Sequence, residues 1–283
     1  MASNDQKLLG TAARVVDAFG GAIRVESMYG PEGSKLYHSF TLHDTAEVAE
    51  LLALSDGRSG PVLELACGSG RITLPLLKAG FEVHGLDNSP SMLSLLEKRL
   101  AEPEHAGLDR KLTTQVGDMT EFELGRTFEL VLLGATAIWN LDEAQRASLF
   151  HHVREHLAED GRFLMTFLTY AGLEERTSPL ERLSVFTVDD GAGKALCTLI
   201  DYAEPSGIRS SSIVHQRLKG GAVAETVLYT AWTYLASAAD LAAEVERAGL
   251  KVISQHEVAG QHRISKDSDP AGRSRQLFEI GLA

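Results

Sequence analysis

At 283 residues, 44% hydrophobic and 23% charged, the chain has the composition of a globular enzyme that can bury a full core, as one domain or as one domain with an elaboration. Its formal net charge of -12 argues against a nucleic-acid partner, because such binding is driven by Lys and Arg neutralising phosphates. No charged-then-apolar leader and no apolar run of bilayer length is read along it, so the expectation is a cytoplasmic protein that engages neither membrane nor nucleic acid.

The first 21 residues read as a helix with Leu8, Ala12, Val15, Val16 and Phe19 on one face. Residues 29–44 are punctuated by Gly and Pro around two tyrosines and read as a loop, after which Thr45 to Leu54 resumes helix. Val62 to Ala66 is a short apolar run, the mark of a buried parallel strand, and Gly68, Ser69 and Gly70 break it before a helix over Arg71 to Ala79. Glu82 to Leu86 is a second strand. It ends on Asp87, about 20 residues past the first glycine, the offset at which a carboxylate meets ribose hydroxyls.

Strand, glycine turn, helix and acidic strand end together announce a nucleoside-like cofactor. A dinucleotide fingerprint needs a third glycine where Thr73 stands, which disfavours NAD. No Lys followed by Ser or Thr ends the loop either, so a phosphate-cradling P-loop is absent. The run Leu63-Glu64-Leu65-Ala66-Cys67-Gly68-Ser69-Gly70 instead resembles the first motif of the class I S-adenosylmethionine-dependent methyltransferases. That resemblance implies an α/β fold, a Rossmann-like doubly wound seven-stranded sheet, with S-adenosyl-L-methionine as cofactor and S-adenosyl-L-homocysteine as product. The cofactor contacts it implies fall on Glu64, Ala66, Gly68, Ser69, Gly70, Arg71, Asp87, Asn88 and Met92.

Ser89 and Pro90 open a helix over Ser91 to Leu100. Leu112 to Val116 is a third strand ending in Asp118 and Met119. In the resembled family an acidic residue there meets the adenine amino group and an apolar neighbour covers the ring; the plain alternative is a carboxylate capping a turn. Phe128 to Leu133 is a fourth, central strand, and Gly134 to Asn140 lies at its carboxyl end, where doubly wound folds place ligands. Gly134 and Ala135 are cofactor candidates there. Trp139 is either core or substrate contact. Some amine methyltransferases of this type carry histidine where this chain has Asn140, so a histidine base is not supplied from that position.

Glu143 to Leu157 reads as a helix stopped by Gly161, with Arg162 to Leu168 as the fifth strand. His151, His152 and His156 crowd its polar side. A solvated face or helix end is the favoured reading over a metal, since no acidic or cysteine partner follows at ligand spacing. The two cysteines, Cys67 and Cys197, have no CxxC spacing and suggest neither disulfides nor zinc, and Cys67 reads as a small residue filling the turn rather than a nucleophile. No metal is expected.

Beyond Tyr170 the alternation ends. Leu183 to Val188, Ala195 to Ala203, Ile208 to Lys219 and Val223 to Leu235 read as β runs separated by Asp-Asp-Gly, Pro-Ser-Gly and Gly-Gly turns, an antiparallel β insertion. Ser237 and Asp240 suggest a capping box for a helix to Ala248, and Leu250 to Val258 and Gln276 to Leu282 close the sheet. The expected division is 1–60 as helical cap and lid loop, 61–170 with 236–283 as the cofactor domain, and 171–235 as the insertion.

The tyrosine loop narrows the resemblance to natural-product N-methyltransferases acting on amino sugars or peptide amines. In such relatives tyrosines matching Tyr29 and Tyr37 approach the cofactor's carboxylate or close over substrate, and a comparable β layer covers the cofactor or mediates a dimer. Substrate candidates are Trp139, Asn140, Tyr170 and His215; the catalytic candidates are Tyr37 and His215. The expected partner is a small-molecule or short-peptide amine, with a homodimer open. Two other readings stay open: a small-molecule O-methyltransferase, and a non-catalytic cofactor-binding regulator.

Overall fold

The computed structural model describes residues 8–20, 22–42, 44–170, 172, 175–189, 193–258 and 273–283. Helix α1 spans Gly10–Ala18, strand β1 Arg24–Ser27, α2 Gly33–Thr41 and α3 Val48–Ser55. Then follow β2 (Val62–Leu65), α4 (Thr73–Ala79), β3 (Val83–Asp87), α5 (Pro90–Leu100), β4 (Leu112–Val116), β5 (Phe128–Leu133), α6 (Glu143–His156) and β6 (Leu157–Tyr170). Four long strands come next: β7 (Leu180–Asp189), β8 (Lys194–Ala203), β9 (Ile208–Lys219) and β10 (Ala222–Tyr234). The chain closes with α7 (Ala238–Arg247), β11 (Leu250–Glu257) and β12 (Arg273–Leu282).

These elements form two compact units, one of residues 1–40 with 173–235 and one of residues 41–172 with 236–283. The second holds a seven-stranded sheet in the order β11-β12-β6-β5-β2-β3-β4. Strands β6, β5, β2, β3 and β4 run parallel, and β12 and β11 are antiparallel additions at one edge. All four residues of β2 are buried, which is why its sequence is a continuous run rather than an alternation. Leu76, Leu77, Val83, Leu96, Leu130, Leu132 and Leu164 surround it in one apolar core. The strand order reverses at β2, with β3 on one side and β5 on the other, so the carboxyl ends of β2 and β5 form the topological switch point.

The other unit is a five-stranded sheet in the order β1-β10-β9-β8-β7, antiparallel except for the β1–β10 pair. Gly220 and Gly221 both take positive φ between β9 and β10, the backbone a tight two-residue hairpin requires. Leu8, Ala12, Val15 and Val16 pack on Ile200, Val214 and Leu228, as the helical face predicts. Phe19 does not join them: it follows the last helical residue and is exposed.

Several boundaries differ from the sequence reading. Residues 29–44 are not a loop, since α2 occupies most of them and β1 precedes it. Gly33 there serves close backbone approach, because a Cβ would strike the carbonyls of Ser27 and Met28. The first unit boundary falls at residue 40, where 60 was expected. Gly161 does not stop a helix: α6 ends at His156, Leu157 pairs with Phe128, and Gly161 lies within β6. Ser237 caps α7 by accepting the Asp240 N–H at 3.0 Å, but its own hydroxyl donates to the Asp240 carboxylate, so the reciprocal half of a capping box is missing. Strand β12 begins at Arg273, three residues before the expected Gln276. Residues 1–7 and 21 of the first expected helix, and the glycine of the Asp-Asp-Gly turn, lie outside the described residues.

Candidate cofactor site

The candidate site is built where four parallel strands end together. Beyond Leu65 the chain turns through Ala66 at φ +53°, Gly68 at +56° and Gly70 at +83° before α4 begins. Gly70 needs its missing side chain, because a Cβ would collide with Leu96 Cδ1. Gly68 is different: a Cβ would find only Ala66 O and Asp87 Oδ2, each at 3.9 Å, so this side of the turn is open. Leu65 pairs with Leu86, which sets Asp87 beside the turn.

Asp87 Oδ2 accepts the Gly68 N–H at 2.7 Å and Oδ1 accepts the Ser89 N–H at 2.8 Å. Burial pushes its pKa up while these two donors pull it down, and the net position is above the ordinary aspartate value. Two donors occupy only about half of a carboxylate's roughly four lone-pair sites, so Asp87 fits a further pair of hydroxyl donors such as those of a ribose. Its own carbonyl accepts the Gly117 N–H at 3.1 Å, tying the end of β4 to the end of β3.

Around this centre the expected residues take distinct positions. Glu64 is buried in β2 and accepts the Thr73 hydroxyl at 2.6 Å; burial raises its pKa to about 8. Cys67 is buried, and burial pushes its thiol well above the ordinary range, so it fills the turn as a neutral thiol. The Ser69 carbonyl accepts Arg99 Nη1 at 2.8 Å. Asn88 is exposed at the turn after β3, whereas Met92 is buried in α5. Asp118 Oδ1 accepts both the N–H and the hydroxyl of Thr120, at 2.8 and 2.7 Å, so one of its oxygens caps a turn. Met119 beside it is half-buried.

At the end of β5, Gly134 is buried and Ala135 and Thr136 follow with φ of +57° and +60°. Trp139 is 1% exposed, its indole N–H donating to the Leu168 carbonyl at 3.0 Å, so this ring is core. Asn140 is half-buried. Tyr170, half-buried at the end of β6, has a shielded hydroxyl with no hydrogen-bond partner among the described residues.

Tyr29, Tyr37 and His215 all belong to the unit that holds the five-stranded sheet. The rings of Tyr29 and Tyr37 meet edge to face with centroids 5.4 Å apart, and Tyr37 meets Phe40 at 6.4 Å. Tyr37 lies on α2 rather than in a loop. His215 is buried on β9 with its ring centroid 6.1 Å from that of Tyr229. Burial, then Glu26 and Glu32, push the Tyr229 phenol up to about 12.

The histidines of α6 do not share one solvated face. His151 is exposed, but His156 is buried, with Nδ1 against the His152 carbonyl at 2.8 Å and Nε2 accepting the Leu124 N–H at 3.0 Å. Both ring nitrogens face backbone groups, and Nε2 also lies 3.4 Å from a Glu123 carboxylate oxygen.

Sequence reasoning missed Glu47, Arg99 and Arg275. Glu47 is fully buried at the N-cap of α3, ion-paired with Arg71 and with Arg275, the latter at 2.9 Å. Arg71 Nη1 also donates to the Ala46 carbonyl at 2.9 Å, so the guanidinium following the glycine turn is held by the start of α3. Glu47 carries no sequence signal, since a glutamate near a helix start is commonplace.

A seven-stranded sheet of this order, with a glycine turn facing an acidic strand end, defines the class I methyltransferase fold. Residues 62–161 match the family model described as "Methyltransferase domain". The cypemycin N-terminal methyltransferase of a Streptomyces species is 26% identical over 178 residues, covering 60% of this chain and 69% of that protein. The crystal structure of the glycopeptide N-methyltransferase MtfA is 26% identical, covers 98% of this chain and 100% of its own, and superposes with a TM-score of 0.62. The sugar N-methyltransferase KedS8 from a Streptoalloteichus species shares the fold at 16% identity, with a TM-score of 0.66 over 100% of this chain and 99% of that one. MtfA has been solved with S-adenosyl-L-methionine. Residues 62–161 are a methyltransferase domain, the fold is that of the class I S-adenosylmethionine-dependent methyltransferases, and S-adenosyl-L-methionine is its cofactor.

Proposed function

We propose that this methyltransferase acts on an amine nitrogen, of a small molecule or of a peptide N-terminus, in the biosynthesis of a natural product. The observation that carries this reading is the extent of the likeness to the glycopeptide N-methyltransferase. It runs over 98% of this chain and so takes in the five-stranded unit as well as the methyltransferase domain. Two amine-directed relatives, one acting on a peptide terminus and one on a glycopeptide by their names, support nitrogen over oxygen.

The bound cofactor supplies a sulfonium-activated methyl carbon, so no covalent enzyme intermediate is needed. In this reading Asp87 holds the ribose hydroxyls, the turn from Ala66 to Gly70 admits the cofactor backbone on its open Gly68 side, and Asp118 and Met119 meet the adenine. Glu64 backs the turn as a neutral carboxyl, while Asn88, Met92, Gly134 and Ala135 complete the wall. Tyr29 and Tyr37 act on the cofactor's amino-acid end or on the substrate, and Asn140, Tyr170 and His215 remain the substrate candidates.

Holding the acceptor lone pair in line with the transferring carbon contributes on the order of 7 to 11 kcal/mol to such a reaction. The amine must be uncharged when it attacks the methyl carbon, and desolvation in the site favours that form by lowering an ammonium pKa. A strong carboxylate base beside it would oppose this, so the proton acceptor is sought at Tyr37 or His215. The net charge of -12 favours attraction of a cationic amine from solution.

The test is mass spectrometry of reactions with S-adenosylmethionine and a panel of amines, peptides with free N-termini, amino sugars and phenols, with S-adenosylhomocysteine release followed in parallel. Methyl gain at an amine, located by fragmentation, is expected. Methyl gain confined to phenol or carboxylate oxygens would overturn the nitrogen assignment.

A further inference from the structure

The carboxylate of Glu47 is the meeting point of four separated stretches of the methyltransferase domain. It belongs to the N-cap of α3 and has no solvent exposure. Its Oε1 accepts the Ala135 N–H at 2.8 Å and also takes the Arg71 guanidinium, while Oε2 faces Arg275 Nη1 of β12 at 2.9 Å. Arg71 is the residue directly after Gly70, and Ala135 directly follows Gly134. One side chain therefore links the loop after β2 to the loop after β5, across the switch point of the sheet.

The local backbone shows that this link is under constraint. Glu47 itself has φ +66°, and Ala135 and Thr136 follow one another at +57° and +60°, all three without glycine's freedom. Such conformations persist where surroundings over-determine them, and they concentrate at ligand clamps. Gly134 completes the fit: a Cβ there would strike Ile72 and reach within 3.4 Å of Glu47 Oε1. Burial alone would raise the Glu47 pKa, but Arg71 and Arg275 outweigh it and hold the carboxyl below its ordinary value, so the clamp is ionic at neutral pH.

We infer that Glu47 is a positioning residue for the cofactor: held between Arg71 and Arg275, it sets the spacing of the glycine turn and the Ala135 loop. This rests on the assignment of S-adenosylmethionine to that edge and is independent of which atom accepts the methyl group. Glu47 touches no reacting atom in this account and acts through the two loops.

Calorimetric titration with S-adenosylhomocysteine on the full chain tests it, performed well below the thermal midpoint of each variant so that only folded protein is compared. Glu47→Gln keeps an acceptor for the Ala135 N–H but removes the charge, and its Kd is expected to rise tenfold or more, with Glu47→Asp in between. Arg275→Gln, which leaves the Arg71 pair in place, serves if Glu47→Gln does not fold, and it is expected to weaken binding at least threefold. Arg275→Lys keeps the charge and should restore most of the affinity. A lowered thermal midpoint with unchanged Kd in these variants would make Glu47 purely structural and overturn the inference. Wild-type protein that binds no S-adenosylhomocysteine would overturn the cofactor assignment and the clamp with it.

Discussion

Replacing Glu64 with glutamine removes an ionisable group from the centre of the parallel sheet. Burial raises this carboxyl from 4.5 to about 8, Asp87 adds to the rise, and the Thr73 hydroxyl and Arg71 oppose it. Folded protein therefore retains a proton that the unfolded chain releases once the pH passes the unfolded value. Stability falls as the pH climbs from 4.5 towards about 8 and levels off above that. At about 1.4 kcal/mol per pKa unit the whole window is worth roughly 5 kcal/mol, of which about 3 kcal/mol falls between pH 5 and pH 7. Glutamine keeps an acceptor for Thr73 and carries no titration. The two proteins are compared by urea unfolding at about pH 5 and about pH 7 in a Trp232→Phe background, where the buried Trp139 is the sole tryptophan reporter. The stability difference should move by about 3 kcal/mol in favour of Glu64→Gln on raising the pH. A difference that stays constant across the two pH values would show that Glu64 titrates ordinarily in the folded state and would refute the reasoning.

The two glycines of the turn should separate stability from binding. Gly70→Ala meets both a left-handed φ and Leu96, and should cost about 2 to 4 kcal/mol of stability; Gly68→Ala carries the conformational cost alone, about 1 kcal/mol, yet should weaken S-adenosylhomocysteine binding if the ligand lies on its open side, as proposed. Thermal melts that rank them the other way would contradict the steric assignment. Tyr37→Phe should lower turnover or cofactor affinity if its hydroxyl reaches the reaction, and wild-type kinetics would leave Tyr37 as a packing residue against Tyr29 and Phe40. Activity should be unchanged after incubation with EDTA, since the proposed chemistry uses no metal; loss of turnover restored by a divalent ion would reverse that.

The site was legible where backbone geometry restricts the choice of residue. Gly68 and Gly70 stand out because the turn needs left-handed φ, and the strand run at 128–133 because β5 lies largely buried between β6 and β2. Asp87 was visible by its offset from the turn. By contrast, α2 was hidden because Gly30, Pro31 and Gly33 read as turn residues, while Gly33 in fact allows the helix to sit against the carbonyls of residues 27 and 28. His156 and Trp139 carry polar atoms satisfied by backbone far away in sequence, at Leu124 and Leu168, and no local pattern announces such pairings. Glu47 was invisible for the same reason: its partners lie at 71, 135 and 275.

The central claim is that the Gly68 turn and Asp87 together form the cofactor site, and the most direct measurement is calorimetric titration of S-adenosylhomocysteine into wild-type protein and Asp87→Ala. Removing the one or two hydrogen bonds to a charged acceptor should cost about 1 to 3 kcal/mol, a loss of roughly 5- to 150-fold in affinity. Equal affinity in the two proteins would contradict the assignment of Asp87 and, with it, the placement of the cofactor on this edge of the sheet.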